Sequence, residues 1–221
     1  MPATAGSALI IACGALAGEI AALRRLNHWD HLDVQCLPPE LHNFPDQIPG
    51  RVREAIDAGR EKYASIFIAY ADCGTGGRLD ALLEPLGIER LPGAHCYEFY
   101  ATAQRFAEMH GQEPGTFYLT DFLVRHFERL VAQTLGIDRH PQLIGEYFRN
   151  YRRVVYLVQD AANADVEHAR AIAGRLGLEF SVLETGYGQM EAGLRRVAMP
   201  NAGAAAANSN ATNEVRVSWP R

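Results

Sequence analysis

The chain has no long apolar run. The longest near its start, Ala8 to Ala12, is far too short to span a bilayer, and no basic segment precedes it as in a secretory leader. Basic stretches are missing too. Twenty-one Lys and Arg stand against 26 Asp and Glu, for a formal net charge of -5, so the footprint that a phosphate backbone demands is absent. Cysteine is sparse, with 4 in 221 residues, which excludes a dense secreted disulfide framework. In a reducing compartment, thiols gathered at one place point to metal or redox chemistry instead. No CxxC pair, HExxH, GxGxxG fingerprint, P-loop or solenoid-length repeat is found. These absences predict a cytoplasmic protein with neither a membrane nor a nucleic-acid partner.

What remains is an ordinary globular composition, 48% hydrophobic and 21% charged, in a chain long enough to bury a core without staples. Ala8 to Ala12 reads as a strand ending at Cys13-Gly14, and Leu16, Ile20, Leu23 and Leu26 then recur at helical spacing. Leu32 to Leu37 is a second strand, closed by Pro38-Pro39, and the turn Leu41-His42-Asn43-Phe44-Pro45 leads to a helix over 48–62. The run up to Tyr70 is the clearest buried strand, followed by glycine-rich Asp72 to Gly77 and a helix over 78–83. A brief strand is expected at Arg90-Leu91, a helix over 96–110, a strand over 115–119, and helices over 122–135 and 142–151. Val154 to Val158 is a strand ending in Gln159-Asp160. A helix over 165–176, a strand over 178–183, the loop Thr185 to Gly188 and an amphipathic segment over 189–197 follow. This alternation predicts an α/β fold: a mostly parallel sheet of about six to seven strands with helices on both faces, Rossmann-like and doubly wound. Residues 1–198 read as one domain, and 199–221, rich in Ala, Asn, Gly and Ser, as a disordered low-complexity tail.

Loops that follow parallel strands share one rim, where open α/β sheets bind their ligands. Cys13, Cys73 and Cys96 all fall there, and three thiolates with one imidazole form a recognised tetrahedral zinc set that also suits iron. His42 or His95 is the expected fourth ligand. Cys96, at a predicted helix start, should have its thiol pKa lowered by the exposed N–H groups, and Cys13 shares the expectation. Gly74 and Gly76, in Gly74-Thr75-Gly76-Gly77 beside Arg78, offer backbone amides that would wrap an anion, and a plain tight turn fits equally. Thr120 and Asp121 join His42 as substrate-binding candidates, with His95 and Asp121 as candidate proton carriers. Asp121 also suits a helix cap, Glu98 a helix-face charge, and Tyr97 either aromatic packing or a pocket wall. Cys36, inside its strand, is assigned to packing. Free cysteine is among the most buried residue types, so an inert role for the other three stays open.

The ordered set of Cys13-Gly14, Leu41-His42-Asn43 with Pro45, Asp72-Cys73-Gly74 after Tyr70, His95-Cys96-Tyr97-Glu98, the stretch from Pro114 to Asp121, and Tyr147-Phe148 with Asn150-Tyr151 resembles the domain-of-unknown-function family 1638 over 9–183. The resemblance implies no reaction. It implies corrinoid or methyl-group metabolism as a context, and the segment from Thr185 onward departs from the pattern. Three readings follow: a Cys/His metal centre acting on a small molecule, a non-catalytic carrier of a metal, corrinoid or other tetrapyrrole, and a metal-free thiol enzyme with Cys96 as nucleophile.

Overall fold

The computed structural model describes residues 7–199, so the expected tail, apart from its first residue, lies outside the described residues. Two parallel sheets of three strands each organise the chain among those residues. The first is built from β1 (Ala8–Cys13), β2 (Leu32–Leu37) and β3 (Ser65–Ala69) in the order β2-β1-β3, with α1 (Ala17–Leu26) and α2 (Ile48–Gly59) as connections and α3 (Arg78–Leu83) following β3. α4 (Cys96–Ala101) and α5 (Ala103–Gln112) lead to the second sheet, β4 (Thr116–Thr120), β5 (Arg153–Val158) and β6 (Glu179–Glu184) in the order β4-β5-β6. Its connections hold α6 (Asp121–Phe127), α7 (Gln133–Leu135), α8 (Ile144–Tyr147) and α9 (Val166–Leu176), and α10 (Gln189–Ala198) ends the described chain. The α/β class and six parallel strands agree with the expectation, but the strands form two sheets rather than one.

Burial follows strand position. All six residues of β1 are buried, as are five of six in β5, and these are the central strands of their sheets, where both faces are covered by helices. Of the edge strands, β2 and β6 expose three and four of their six residues, whereas β3 and β4 bury three and four of their five. Cys36 therefore sits exposed on edge strand β2, a correction to its expected packing role. The strand expected at Arg90-Leu91 is a single bridge from Arg90 to Ile68, cut short by Pro92. The helix expected over 96–110 breaks at Thr102, whose positive φ of 67° no helix accommodates, and its hydroxyl caps α5 by accepting from the Arg105 N–H. Between α6 and α7 the helix widens to a π turn over Glu128–Ala132. No helix among the described residues is long and apolar enough to cross a membrane.

The last helix does not stay with the second sheet. Met190, Leu194 and Ala198 of α10 belong to the core of the first, together with Ile10, Leu91 and Phe99. His31 Nε2 contacts the Ala198 carbonyl at 3.0 Å, and the Arg195 guanidinium donates to Asn27 Oδ1 at 3.0 Å while lying over the Trp29 ring. The return path is tight. At Gly188, with φ 52°, a β-carbon would stand 2.1 Å from the Phe99 carbonyl oxygen and 2.5 Å from that of Tyr100. Gly188→Ala should therefore destabilise the fold by about 2 kcal/mol or more in urea titration, whereas Gly174→Ala, in open space within α9, should stabilise it by about 0.5 kcal/mol.

Candidate functional site

The C-terminal ends of the first sheet's strands bring the expected residues together. β1 ends at Cys13, whose thiol accepts the Ala15 N–H at 3.3 Å and so caps the short turn Gly14–Leu16. Gly14 allows the end of β1 to approach that of β2: a β-carbon there would lie 2.9 Å from the Leu37 carbonyl oxygen and 3.0 Å from Pro39 Cδ. That approach carries the turn after β2 against Cys13 and places His42 Nδ1 3.7 Å from its sulfur, with the Pro39 carbonyl oxygen 3.2 Å from the same nitrogen. The imidazole stacks on Tyr70, a fully buried residue just past β3 whose hydroxyl has no hydrogen-bond partner of acceptable geometry. Cys73 and Cys96 meet because Asp72 and Cys73 donate their backbone N–H groups to the Gly93 and Ala94 carbonyls at 3.1 and 2.9 Å. Cys73 and Cys96 thereby line one cavity.

All three thiols are held protonated. Burial pushes Cys13 up to about 12, with the neighbouring Cys73 adding to the effect, and pushes Cys73 up to about 11. Burial likewise raises Cys96 well above the ordinary thiol range, and Cys73 and Cys13 oppose its ionisation further. This corrects the expected lowering at Cys96 and Cys13. α4 is only six residues long, and the enclosure of the thiol outweighs what its first turn offers. Desolvation by the packed surroundings lowers the pKa of His42 even though the residue keeps solvent exposure, and His95 contributes to that lowering.

The remaining expected residues divide. His95 lies with His42, Cys73, Gly74, Cys96 and Tyr97 around a cavity of about 280 Å³. Thr120 faces a second cavity, of about 220 Å³, that His42, Cys96 and Tyr97 share with Phe122, Leu123, Leu130 and Val131 of the other sheet's helices. Tyr97 is thus a pocket wall. Of the amides expected to wrap an anion, that of Gly76 is already used: Asp72 accepts from the Gly76 and Gly77 N–H groups at 3.0 and 2.9 Å and from the Thr75 hydroxyl at 2.5 Å. Burial works against the charge on Asp72, but these bonds outweigh it and hold its pKa below the ordinary carboxylate value. Gly74 and Gly76 instead supply positive φ for the turn, 84° and 64°.

Thr120, not Asp121, caps α6, accepting from the Leu123 N–H at 3.2 Å. Asp121 ties β4 to β5: its carboxylate accepts from the Tyr156 hydroxyl at 2.7 Å and from the Gln159 and Asp160 N–H groups at 3.1 and 2.7 Å. It lies outside the thiol group. Glu98, expected to be a helix-face charge, accepts from the Ala94 and His95 N–H groups and so closes the start of α4. Tyr70 was missed because it reads as the last residue of an apolar strand. Among the described residues, no three His, Cys, Asp or Glu side chains are already grouped to hold a metal ion.

Residues 36–194 match the family model described as "Protein of unknown function (DUF1638)". No curated protein and no solved structure matches the chain.

The protonation of the thiols has a measurable consequence. On alkylation near neutral pH, followed by peptide mass spectrometry, exposed Cys36 should be modified first, with Cys13, Cys73 and Cys96 largely spared. Since the thiolate is the reacting form, labelling of Cys73 and Cys13 should rise only as pH climbs toward about 11 and about 12 respectively. Fast labelling of Cys96 near neutral pH would contradict the assigned burial effect.

Proposed function

The chain belongs to the DUF1638 family, whose description assigns no reaction, and from that premise we propose that it handles a small molecule through its thiol cluster. In this reading Cys13, Cys73 and Cys96, with His42 as the nearest imidazole, take up a soft metal ion, zinc or iron, or a metal-bearing cofactor such as a corrinoid. One observation carries it: Cys73, Cys96 and His42 line one cavity, and the His42 imidazole stands 3.7 Å from the Cys13 sulfur. A neutral thiol is a weak nucleophile, but metal binding displaces the thiol proton and needs no lowered pKa beforehand. The donor set is one that zinc and iron favour. Since no three candidate ligands are yet grouped around one point, coordination requires the cysteine side chains to turn toward each other. In this reading His95, which lines the same cavity as His42 and Cys96, exchanges protons with a ligand there.

A metal-free thiol enzyme is the second reading, and the Cys13–His42 contact favours Cys13 over the expected Cys96 as its nucleophile. In it His42 would take the Cys13 proton, which requires Nδ1 to give up its hydrogen bond to the Pro39 carbonyl. The raised pKa of Cys13 and the lowered pKa of His42 both oppose that transfer. Anaerobic purification followed by elemental analysis distinguishes the two. About one zinc or iron per chain is expected, lost when Cys13→Ser, Cys73→Ser and Cys96→Ser are combined. Visible absorbance would identify iron or a corrinoid, and a colourless metalloprotein would identify zinc. Failure to retain or reconstitute any metal would rule out the first reading and leave the second.

A further inference from the structure

We infer that a separate cavity, between α1 and the start of α6, binds a small oxyanion, a carboxylate or a phosphate, through Arg25 and Arg125. The inference does not rest on the thiol cluster. The cavity has a volume of about 310 Å³ and draws its walls from both halves: Glu19 and Arg25 on α1, Asp121 and Arg125 on α6, Asp160 after β5, and Tyr187 on the path to α10. Arg125 reaches across the division, its Nη2 lying 4.0 Å from where a β-carbon on Gly18 would stand.

Two of the three acids that line the cavity, Asp121 and Asp160, already hold other partners. Asp121 accepts from Tyr156, Gln159 and Asp160, and Asp160 accepts from the Ala162 N–H at 3.2 Å and Asn163 Nδ2 at 2.8 Å. Neither Arg25 nor Arg125 forms an ion pair with any described carboxylate, so two planar forks of donors line the cavity without an acceptor. Such forks match the geometry of carboxylate and phosphate oxygens.

Glu19 is the independent sign of a ligand. It is 4% exposed, lines the cavity, and its Oε2 has no hydrogen-bond partner, a costly state for a buried polar atom. Burial, and secondarily the charge of Asp121, push its pKa up, while Arg125 pulls the other way. A carboxyl raised in this way sets less charge against an oxyanion than a solvated carboxylate would.

Titration of the protein with inorganic phosphate and separately with succinate, at fixed ionic strength and followed by calorimetry, tests the site. Saturable binding of at least one probe is expected. Arg25→Ala and Arg125→Ala should each weaken it about tenfold or more, and Arg125→Lys, which keeps the charge but not the fork, should weaken it less than Arg125→Ala. All three substitutions fall on exposed residues, so an unchanged melting temperature without ligand is expected. Binding of phosphate alone would assign a phosphorylated ligand, and binding of succinate alone a carboxylate. Saturable binding of neither probe, or equal binding by the combined R25A/R125A variant, would overturn the inference. Neither result touches the metal reading, whose test depends on the cysteines.

Discussion

Two backbone hydrogen bonds, from Asp72 and Cys73 to the carbonyls of Gly93 and Ala94, make the thiol site possible. They stitch the loop after β3 to the segment that opens α4, and only this stitching places Cys73 beside Cys96. The loop resists it. Cys73 has a positive φ of 51°, a conformation that costs a non-glycine residue on the order of 1 kcal/mol or more. Fixed partners on both sides offset that cost. Asp72 is wrapped by Thr75, Gly76 and Gly77, while the largely buried Arg90 forks onto Asp80 at 2.5 and 2.8 Å and donates to the Leu91 and Gly93 carbonyls. The polar residues of this region are therefore scaffold, and the sulfur atoms are what the scaffold presents.

Much of the fold is legible in the chain because burial writes itself into runs. The continuous apolar stretches of β1 and β5 mark central strands, and the residues that end them fall on the strand ends as expected. The division into two sheets is not legible, since parallel pairing leaves no local signature between strands far apart in sequence. Cys36 misleads because Leu32 and Leu37 around it are core residues, while among the described residues no strand pairs with the outer edge of β2. At Cys96 the local rule and the tertiary environment give opposite signs, and enclosure wins. Glu19, Arg25 and Arg125 read as ordinary helix-face charges, and only folding reveals that two helices a hundred residues apart point them at one cavity.

The start of α6 serves both sides of the cleft. Thr120 faces the cavity that includes Cys96, while its neighbour Asp121 lines the one that holds the two arginines. Tyr100 on α4 is buried, and that burial raises its hydroxyl pKa well above the ordinary phenol range. The π turn over Glu128–Ala132 belongs to the same arrangement. By widening the helix it presents Leu130 and Val131 to the thiol side, a placement often found where helices border functional cavities.

The return of α10 to the first sheet bears on how the chain is made. A ribosome releases β1, β2 and β3 early, but the core they share with Met190, Leu194 and Ala198 stays incomplete until the last described helix emerges. Vectorial synthesis then cannot finish the halves one after the other as independent units. The nascent first half must wait with an apolar face uncovered for most of translation, and a stop codon a few residues before Gln189 would damage the half that was synthesised first.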